Sequence, residues 1–255
     1  MTKGRAALKL VVVLFWTMGS LMLLGIGALL FFALPSWKTR WRQLVVQGWA
    51  KGVAVAIGMR RITKAPRPRA PFFLVSNHLS YLDAVLLHSV ARGGVFIARH
   101  DMRTWPGLGF MAQVSGTIWL NRTSRRDAAR ALQAIDGAIG RGDGVFVFPE
   151  GTTSSGSGLL PMKPALLEWA VQSQFPVRYA AITYRLRKPQ NGVPARDALC
   201  WGSDIGFGPH VWGVLQLRSF EAQVSFGPEP VSGGTRAELL EQVRHGIEEY
   251  FEAVA

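Results

Sequence analysis

The chain has 255 residues, enough for one large domain or for a domain with a smaller appendage. Lys and Arg outnumber Asp and Glu by 29 to 16, and the resulting net charge of +13 indicates anionic partners: a membrane surface, a phosphorylated substrate or nucleic acid. Nine tryptophans and a hydrophobic content of 49% favour the membrane interface. Nucleic acid is disfavoured, because the sequence contains no zinc-finger, recognition-helix or aromatic RNA-binding pattern. A single cysteine, Cys200, excludes a disulfide framework and a thiolate metal site.

An uncharged stretch from Leu10 to Leu34 is long enough to cross a bilayer and too long for the apolar core of a cleaved signal peptide. Basic residues flank it and continue after it, which predicts the cell membrane as location, with the main domain on the cytoplasmic face. The alternative is a helical hairpin that lies in one leaflet, with Leu44–Ile57 as its second limb. Residues 1–64 are therefore expected to be a membrane-anchoring helical segment, with anionic lipids as partners, and residues 65–255 to form an α/β domain.

After a proline-rich linker, apolar runs alternate with helical patterns, and this alternation predicts an α/β fold in which helices flank a mixed sheet. We expect strands at Phe72–Ser76, Val95–Ala98, Thr117–Leu120, Val145–Phe148, Tyr179–Thr183 and Ala222–Phe226. We expect helices at Asp83–Ala91, Arg126–Gly140, Lys163–Gln174 and Thr235–Ala253. In such folds, active sites form at the C-terminal ends of strands.

A polar motif, Asn77–Asp83, directly follows the first of these strands. Histidine is the side chain best suited to take a proton near neutral pH, and a nearby carboxylate fixes its tautomer, so His78 and Asp83 are a candidate general base and its partner. Residues five apart on one continuous helix face away from each other, so the two can meet only if His78 lies in the loop before the helix. The alternative is structural, because Ser80 and Asp83 have the spacing of a capping box that would begin a helix without any chemistry.

Further polar residues follow two later strands. Arg122 ends the run Gly116–Arg122 and could bind a phosphate through two hydrogen bonds, or be a solvated residue at a helix start. Glu150, Gly151 and Thr152 offer a carboxylate, a flexible backbone and a hydroxyl in one turn, or form an ordinary turn. Lys163 is a further candidate anion contact, with a solvated helix start as its alternative.

Taken in order, these blocks resemble the glycerolipid acyltransferase family, of which 1-acylglycerol-3-phosphate acyltransferases are typical. The matching blocks are Asn77-His78-x-Ser80-x-x-Asp83, Gly116–Arg122, Phe148–Thr152 and Phe175–Val177, so the resemblance covers roughly residues 72–183. The stretches from Leu160 to Ala165 and from Cys200 to His210 are similar to a bacterial subgroup, some members of which acylate lyso-ornithine lipids or other lysolipids.

The resemblance implies transfer of a fatty acyl group from acyl-carrier protein or acyl-CoA to the free hydroxyl of a lysolipid, first of all 1-acyl-glycerol-3-phosphate, giving phosphatidic acid. It also implies that His78 deprotonates this hydroxyl, that Asp83 holds the imidazole and stabilises its charged form, and that the acceptor attacks the thioester without an enzyme nucleophile. The substrate-binding residues would be Asn77, Ser80, Arg122, Glu150, Gly151, Thr152 and Lys163. No metal, and no cofactor besides the acyl donor, is expected.

One departure from the family pattern concerns the acceptor head group. Typical members carry an arginine directly after Glu-Gly-Thr, whereas this chain has Thr153, so one phosphate-binding cation is missing. This leaves lyso-ornithine lipid or another lysolipid open as the acceptor. Trp201, Asp204 and His210 are expected in a surface loop near the membrane rather than in the catalytic centre.

Two other classes of function are compatible with parts of the pattern. A thioesterase or lipid hydrolase would use similar substrates with water as the acceptor, but it would leave the head-group residues without a purpose. A non-catalytic membrane adaptor would keep the basic, tryptophan-rich surface and tolerate loss of His78. The intact His78/Asp83 and Glu150–Thr152 blocks disfavour the adaptor.

Overall fold

The computed structural model describes residues 2–105, 107–121, 125–186, 192–202 and 205–255. The helices in these ranges are α1 (Thr2–Leu30), α2 (Pro35–Ile57), α3 (Leu82–Val90), α4 (Leu108–Val114), α5 (Arg125–Gly140), α6 (Leu167–Ser173), α7 (Ala195–Leu199), α8 (Phe207–Gln216) and α9 (Arg236–Tyr250). The strands are β1 (Met59–Lys64), β2 (Phe73–Ser76), β3 (Gly94–Arg99), β4 (Ile118–Leu120), β5 (Gly144–Val147), β6 (Val177–Arg185) and β7 (Phe220–Phe226). Short 3-10 turns occupy His100–Thr104 and Pro164–Leu166.

All of these strands join one mixed sheet in the order β1-β7-β6-β2-β5-β3-β4. The five strands from β6 to β4 are parallel to their neighbours, β7 runs antiparallel to β6, and β1 is parallel to β7. The C-terminal ends of β2, β4, β5 and β6 therefore meet at one edge of the sheet, which we call the catalytic edge. The predicted fold class, a mixed sheet flanked by helices, is confirmed.

Both faces of the sheet are covered, because successive strand residues alternate between two apolar cores. Leu74 and Phe146 belong to the core that also contains residues of α2, α3 and α8. Phe73 and Val145 belong to the opposite core, which contains residues of α5, α6 and α9. The apolar runs recognised in the sequence are thus strands buried on both sides.

All six expected strands are present, with ends that differ by at most two residues. The four expected helices are present too, although the one expected from Lys163 begins as a 3-10 turn and becomes α-helical at Leu167. Strand β1 and the helices α4, α7 and α8 had not been predicted. Strand β1 reads Met-Arg-Arg-Ile-Thr-Lys. Such a charged sequence is compatible with a strand only because β1 is the outermost strand of the sheet and is half-exposed.

Helices α1 and α2 form an antiparallel hairpin held by tryptophans. The Trp41 indole donates a hydrogen bond of 2.8 Å to the Leu23 carbonyl, and the Trp16 indole donates one of 3.2 Å to the Trp49 carbonyl. The Trp16 ring fits against Gly52, where a β-carbon would overlap it. Glycine at this position therefore allows the two helices to approach closely.

The hairpin is attached to the sheet through Arg42 of α2. Its guanidinium contacts both carboxylate oxygens of Asp143, at 2.7 and 2.6 Å, and donates to the Ser115 carbonyl at 2.7 Å. Gln43 donates to the same carboxylate at 2.8 Å. Asp143 is fully buried just before β5, so this contact joins α2 to the end of the sheet opposite the catalytic edge.

Candidate active site

His78 and Asp83 come together at the catalytic edge, where the chain leaves β2 and turns into α3. The helix begins at Leu82, so His78 lies in the preceding loop, as the spacing argument required. The distance from His78 Nδ1 to Asp83 Oδ2 is 2.7 Å. Because an ionised carboxylate only accepts hydrogen bonds, this contact assigns the imidazole proton to Nδ1 and leaves the Nε2 lone pair available.

The predicted capping role of Ser80 is not observed. The residue before α3 is Tyr81, and no side chain caps the helix there. Instead the Asp83 carboxylate accepts from the backbone N–H groups of Leu79 and Ser80, at 2.7 and 3.0 Å. Asp83 thus orders the turn and faces the imidazole at the same time, while the Ser80 hydroxyl is buried without a hydrogen-bond partner among the described residues.

Asn77 fixes the start of this motif to the neighbouring strand. Its Oδ1 accepts from the Ile182 N–H at 2.7 Å, and its Nδ2 donates to the Ile182 carbonyl at 3.0 Å. Asn77 is fully buried. Expected as a substrate contact, Asn77 joins the end of β2 to β6 and so positions His78.

The imidazole of His78 is also held from its face. The Phe148 ring stacks on it, with the ring centroids 3.9 Å apart and the planes 8° from parallel. The His78 side chain remains 22% exposed, whereas Asp83 is completely buried. His78 can therefore meet a substrate while its partner is shielded from water.

A third member of this group, Tyr184 of β6, was not among the residues expected from the sequence. Its hydroxyl donates to Asp83 Oδ1 at 2.5 Å, and the side chain is completely buried. The expected strand ends at Thr183, two residues before the observed end of β6 at Arg185. A longer strand would have placed Tyr184 at the catalytic edge, but no local pattern indicates its contact with a residue 101 positions away.

Glu150 lies after β5, next to this group. Its side chain is only 4% exposed, and neither carboxyl oxygen has a hydrogen-bond partner in the described part of the chain. Burial raises the pKa of Glu150 to about 8; the nearby amide of His78 opposes this rise and the Asp83 carboxylate adds to it. A carboxyl in this state is largely neutral at pH 7 and can donate a hydrogen bond to a ligand oxygen.

Glu150 should make the protein less stable as the pH rises. Because its pKa is about 8 in the folded chain and ordinarily 4.5, the folded protein binds more protons between these limits, so unfolding becomes easier across that window. Glu150→Gln should remove this dependence and gain about 3 kcal/mol over the wild type at pH 8 relative to pH 5. Urea unfolding of both proteins at the two pH values measures it. A stability difference that is independent of pH would contradict the buried, neutral Glu150.

The residues after Glu150 wrap around the catalytic turn. Gly151 has a φ of +74°, a conformation that favours glycine, and Thr152 is exposed. The Ser154 N–H donates to the His78 carbonyl at 2.8 Å. The Thr153 hydroxyl, at the position where typical family members carry arginine, donates to the Trp201 carbonyl at 2.5 Å.

Of the two expected cations, Lys163 lies within the described residues and Arg122 does not. The Lys163 N–H donates to the Pro149 carbonyl at 3.0 Å, so its backbone lies beside the Glu150 turn, and its side chain is exposed. Arg122 lies outside the described residues; in the sequence it comes two positions after Leu120, the last residue of β4.

The segment around His210 is not a surface loop, contrary to expectation. His210 is 5% exposed, its Nδ1 is 3.0 Å from the Tyr81 hydroxyl, and its Nε2 is 3.2 Å from the Cys200 carbonyl. Since a carbonyl only accepts, Nε2 carries the proton and Tyr81 donates to Nδ1. Trp201 is half-exposed and donates its backbone N–H to the Leu79 carbonyl at 2.8 Å, whereas Asp204 lies outside the described residues.

Neither a reactive cysteine nor a metal site accompanies this group in the described part of the chain. Cys200 is buried, and burial raises the pKa of its thiol to about 12, so it is not a thiolate at neutral pH. Within the described ranges, no group of three or more His, Cys, Asp or Glu side chains is arranged to hold a metal ion. What the geometry offers is a supported base next to a buried acid.

Comparison with known proteins agrees with this chemistry. The Acyltransferase family model matches residues 57–183. A 1-acyl-sn-glycerol-3-phosphate acyltransferase of Neisseria gonorrhoeae is 31% identical over 217 residues, which cover 85% of this chain and 82% of that protein. A lyso-ornithine lipid O-acyltransferase of Rhizobium meliloti is 32% identical over 195 residues, which cover 73% of this chain and 66% of that protein.

The fold has a counterpart among solved structures. The crystal structure of the 1-acyl-sn-glycerophosphate (LPA) acyltransferase PlsC from Thermotoga maritima matches all of both chains with a TM-score of 0.65. At 21% identity, that likeness supports the fold alone. The sequence relatives go further, and on their account the chain belongs to the Acyltransferase family and is an acyltransferase.

Proposed function

We propose that this enzyme moves a fatty acyl group from a thioester of acyl-carrier protein or coenzyme A to the free hydroxyl of a lysolipid, with 1-acyl-glycerol-3-phosphate as the first choice of acceptor. The observation that carries the proposal is the His78–Asp83 pair, in which Nδ1 of the partly exposed imidazole lies 2.7 Å from the buried carboxylate. The relatives compared above are named for two kinds of lysolipid acceptor, which supports a lysolipid as the acceptor of this enzyme.

In this mechanism the acceptor attacks the donor directly. His78 Nε2 takes the hydroxyl proton as the oxygen forms its bond to the thioester carbonyl carbon, and Asp83 stabilises the resulting imidazolium. When the tetrahedral intermediate collapses, the carbon–sulfur bond breaks and the thiol leaves with the proton from His78. No acyl-enzyme forms, which agrees with the inert state of Cys200.

We expect Glu150, Thr152, Lys163 and Arg122 to bind the head group. Glu150 can donate from its neutral carboxyl, and Thr152 and Lys163 are exposed beside it. Arg122 follows β4 in the sequence and supplies the guanidinium that a phosphate monoester requires. Because the Thr153 side chain is neutral and bound to Trp201, a second arginine is missing from this group.

Arg122→Ala tests the first-choice acceptor. If lysophosphatidate is the substrate, this change should raise KM for it by about tenfold or more, the loss of a charge-assisted hydrogen bond worth about 1.5–3 kcal/mol. Lys163→Ala should then weaken binding further, because a cation must compensate for Thr153. The measurement is acyl transfer from one labelled donor, with lysophosphatidate and lyso-ornithine lipid in competition.

The runner-up acceptor is lyso-ornithine lipid. It is favoured by the contact between Thr153 and the Trp201 segment, which together replace the second arginine. Clear preference for lyso-ornithine lipid in the competition would overturn the first choice without touching the acyl-transfer mechanism. Turnover of the donor at equal rate without any lysolipid would instead indicate a thioesterase.

For the anchor we propose that the α1–α2 hairpin lies in the cytoplasmic leaflet. Helix α1 is long and apolar enough to cross a membrane, and its large apolar side chains are mostly exposed, Phe15 by 81% and Leu29 by 78%. Helix α2, however, buries Val46, Ala50 and Val53 along the globular domain, and α1 runs beside it. A leaflet-bound hairpin keeps both contacts and still gives α1 an apolar solvent.

Labelling of the Gly4→Cys variant distinguishes the two topologies, because a side chain at this position meets no neighbour and the natural Cys200 is buried. With the hairpin in the cytoplasmic leaflet, a membrane-impermeant maleimide should label the introduced thiol only after the membrane is opened. If α1 spans the bilayer instead, the N-terminus lies outside and intact cells should be labelled. The wild-type protein is the control for reaction at Cys200.

A further inference from the structure

We propose that Tyr184 is a positioning residue that controls the orientation and the proton affinity of the His78–Asp83 pair. The inference rests on the proposed role of His78 as the base, and it adds a third residue to that machinery. Tyr184 acts through Asp83 and has no contact with His78 among the hydrogen bonds of the described residues.

The two oxygens of Asp83 have different partners. Oδ2 accepts from His78 Nδ1 and from the N–H groups of Leu79 and Ser80, at 2.7, 2.7 and 3.0 Å. Oδ1 accepts from the Tyr184 hydroxyl at 2.5 Å. Since Asp83 is completely buried, the phenol supplies Oδ1 with a donor that water would supply at the surface.

This arrangement fixes the carboxylate plane. The Oδ2 contacts all come from one short stretch of chain, residues 78–80. If the carboxylate rotates, this stretch can move with it, so these contacts alone do not fix the carboxylate relative to the sheet. The Oδ1 contact comes from β6, which is joined independently to the start of the motif by the Asn77–Ile182 pair. Tyr184 therefore fixes Oδ1 of Asp83 relative to the sheet. This keeps the imidazole of His78 in the orientation that the reaction needs.

The same contact moderates the charge on Asp83. A hydrogen bond to the ionised form spreads its negative charge, so the carboxylate attracts the imidazolium less strongly. Burial and the Asp83 charge raise the pKa of Tyr184 well above its usual value, so the phenol stays protonated and remains a donor. Other titratable groups around the pair are Glu150 after β5, Cys200 after α7, Tyr81 before α3 and His210 of α8.

Packing alone does not require the hydroxyl. The ring of Tyr184 lies in the apolar core, 6.2 Å from the ring of Phe220, and phenylalanine would fill the same space. Tyr184→Phe consequently removes one hydrogen bond and little else. Tyr179→Phe is the matched control, because it removes a hydroxyl from the same strand at a position that faces Gly227 and Gly246 rather than Asp83.

The experiment compares pH profiles of kcat and kcat/KM for the wild type, Tyr184→Phe and Tyr179→Phe, in enzyme whose fold is checked by circular dichroism. In Tyr184→Phe, kcat should fall about tenfold, as expected when a hydrogen bond to a charged group is lost, with KM within about twofold. The acidic limb of kcat/KM should move to higher pH by about half a unit or more, because a more basic Asp83 raises the proton affinity of His78. Glu150 titrates in all three enzymes, so only the difference between profiles reports on Tyr184.

A double-mutant cycle keeps the inference testable if Tyr184→Phe is also less stable. If Tyr184 acts through Asp83, then Tyr184→Phe in an Asp83→Asn background should lower the residual rate by less than about twofold. An unmoved acidic limb, or equal effects of Tyr184→Phe in both backgrounds, would overturn the inference. Retained activity in His78→Ala would instead refute the general-base mechanism, so the two failures are distinguishable.

Discussion

Replacement of His78 with alanine should lower the rate of acyl transfer by about 10²–10⁴, the usual contribution of a positioned general base. The fold should survive, because the side chain is 22% exposed and its removal leaves the turn held by the Asp83 contacts to Leu79 and Ser80. The measurement is transfer of a labelled acyl group to lysophosphatidate in detergent or vesicles. His245→Ala on the exposed face of α9 is the control.

Asp83→Asn should be similarly severe for a different reason. Asparagine keeps an oxygen for the backbone N–H groups but loses the charge that stabilises the imidazolium, and its NH₂ group favours the wrong imidazole tautomer. If His78→Ala retains most of the wild-type rate, the general-base mechanism is wrong. If only Asp83→Asn retains most of the wild-type rate, the hydrogen bond between His78 and Asp83 is not used in the reaction.

Arg42→Met should destabilise the protein by about 3 kcal/mol, because the buried Asp143 carboxylate loses the guanidinium that contacts both of its oxygens and keeps only Gln43 and, 3.9 Å away, Arg141. Chemical denaturation in a fixed detergent measures the loss. Arg40→Met, two positions earlier on the exposed side of α2, should have little effect. The double change Arg42→Met with Asp143→Leu should recover much of the stability, since it also removes the buried carboxylate charge.

Two outcomes bear on the interpretation of that contact. A single Arg42→Met variant as stable as wild type would mean that water reaches Asp143 and the pair contributes little. A double variant that is stable but has lost membrane binding would show that the Arg42 contact orients the hairpin in addition to stabilising it.

The sequence predicts the catalytic edge well because its motifs are local. His78 and Asp83 lie five residues apart after an apolar strand, and Glu150 directly follows another, so periodicity and strand ends place them. The contacts that sequence reasoning missed join distant positions: Tyr184 with Asp83 and Arg42 with Asp143, each 101 residues apart. Nothing in the neighbourhood of either residue distinguishes it from a core tyrosine or a solvated arginine.

The errors in the element predictions have physical causes as well. Strand β1 has as many charged side chains as a solvated loop. It can hold them because it has no neighbouring strand on one side among the described residues. His210 was expected in a surface loop together with Trp201 and Asp204, although its neighbours Pro209, Val211 and Trp212 are apolar. In the folded chain, Tyr81 and the Cys200 carbonyl satisfy both ring nitrogens, and burial lowers the pKa of His210 so that it remains neutral.

The Thr153 hydroxyl bond to the Trp201 carbonyl has a consequence for redesign of this enzyme. An arginine introduced at position 153 would add a cation. It would also remove the hydrogen bond between the loop after Glu150 and Trp201, whose N–H binds the Leu79 carbonyl. Substitutions at 153 and in the 200–207 segment are therefore coupled. Combinatorial libraries that aim to change the acceptor should vary both regions together, because a change at either one alone disturbs the support of the catalytic turn.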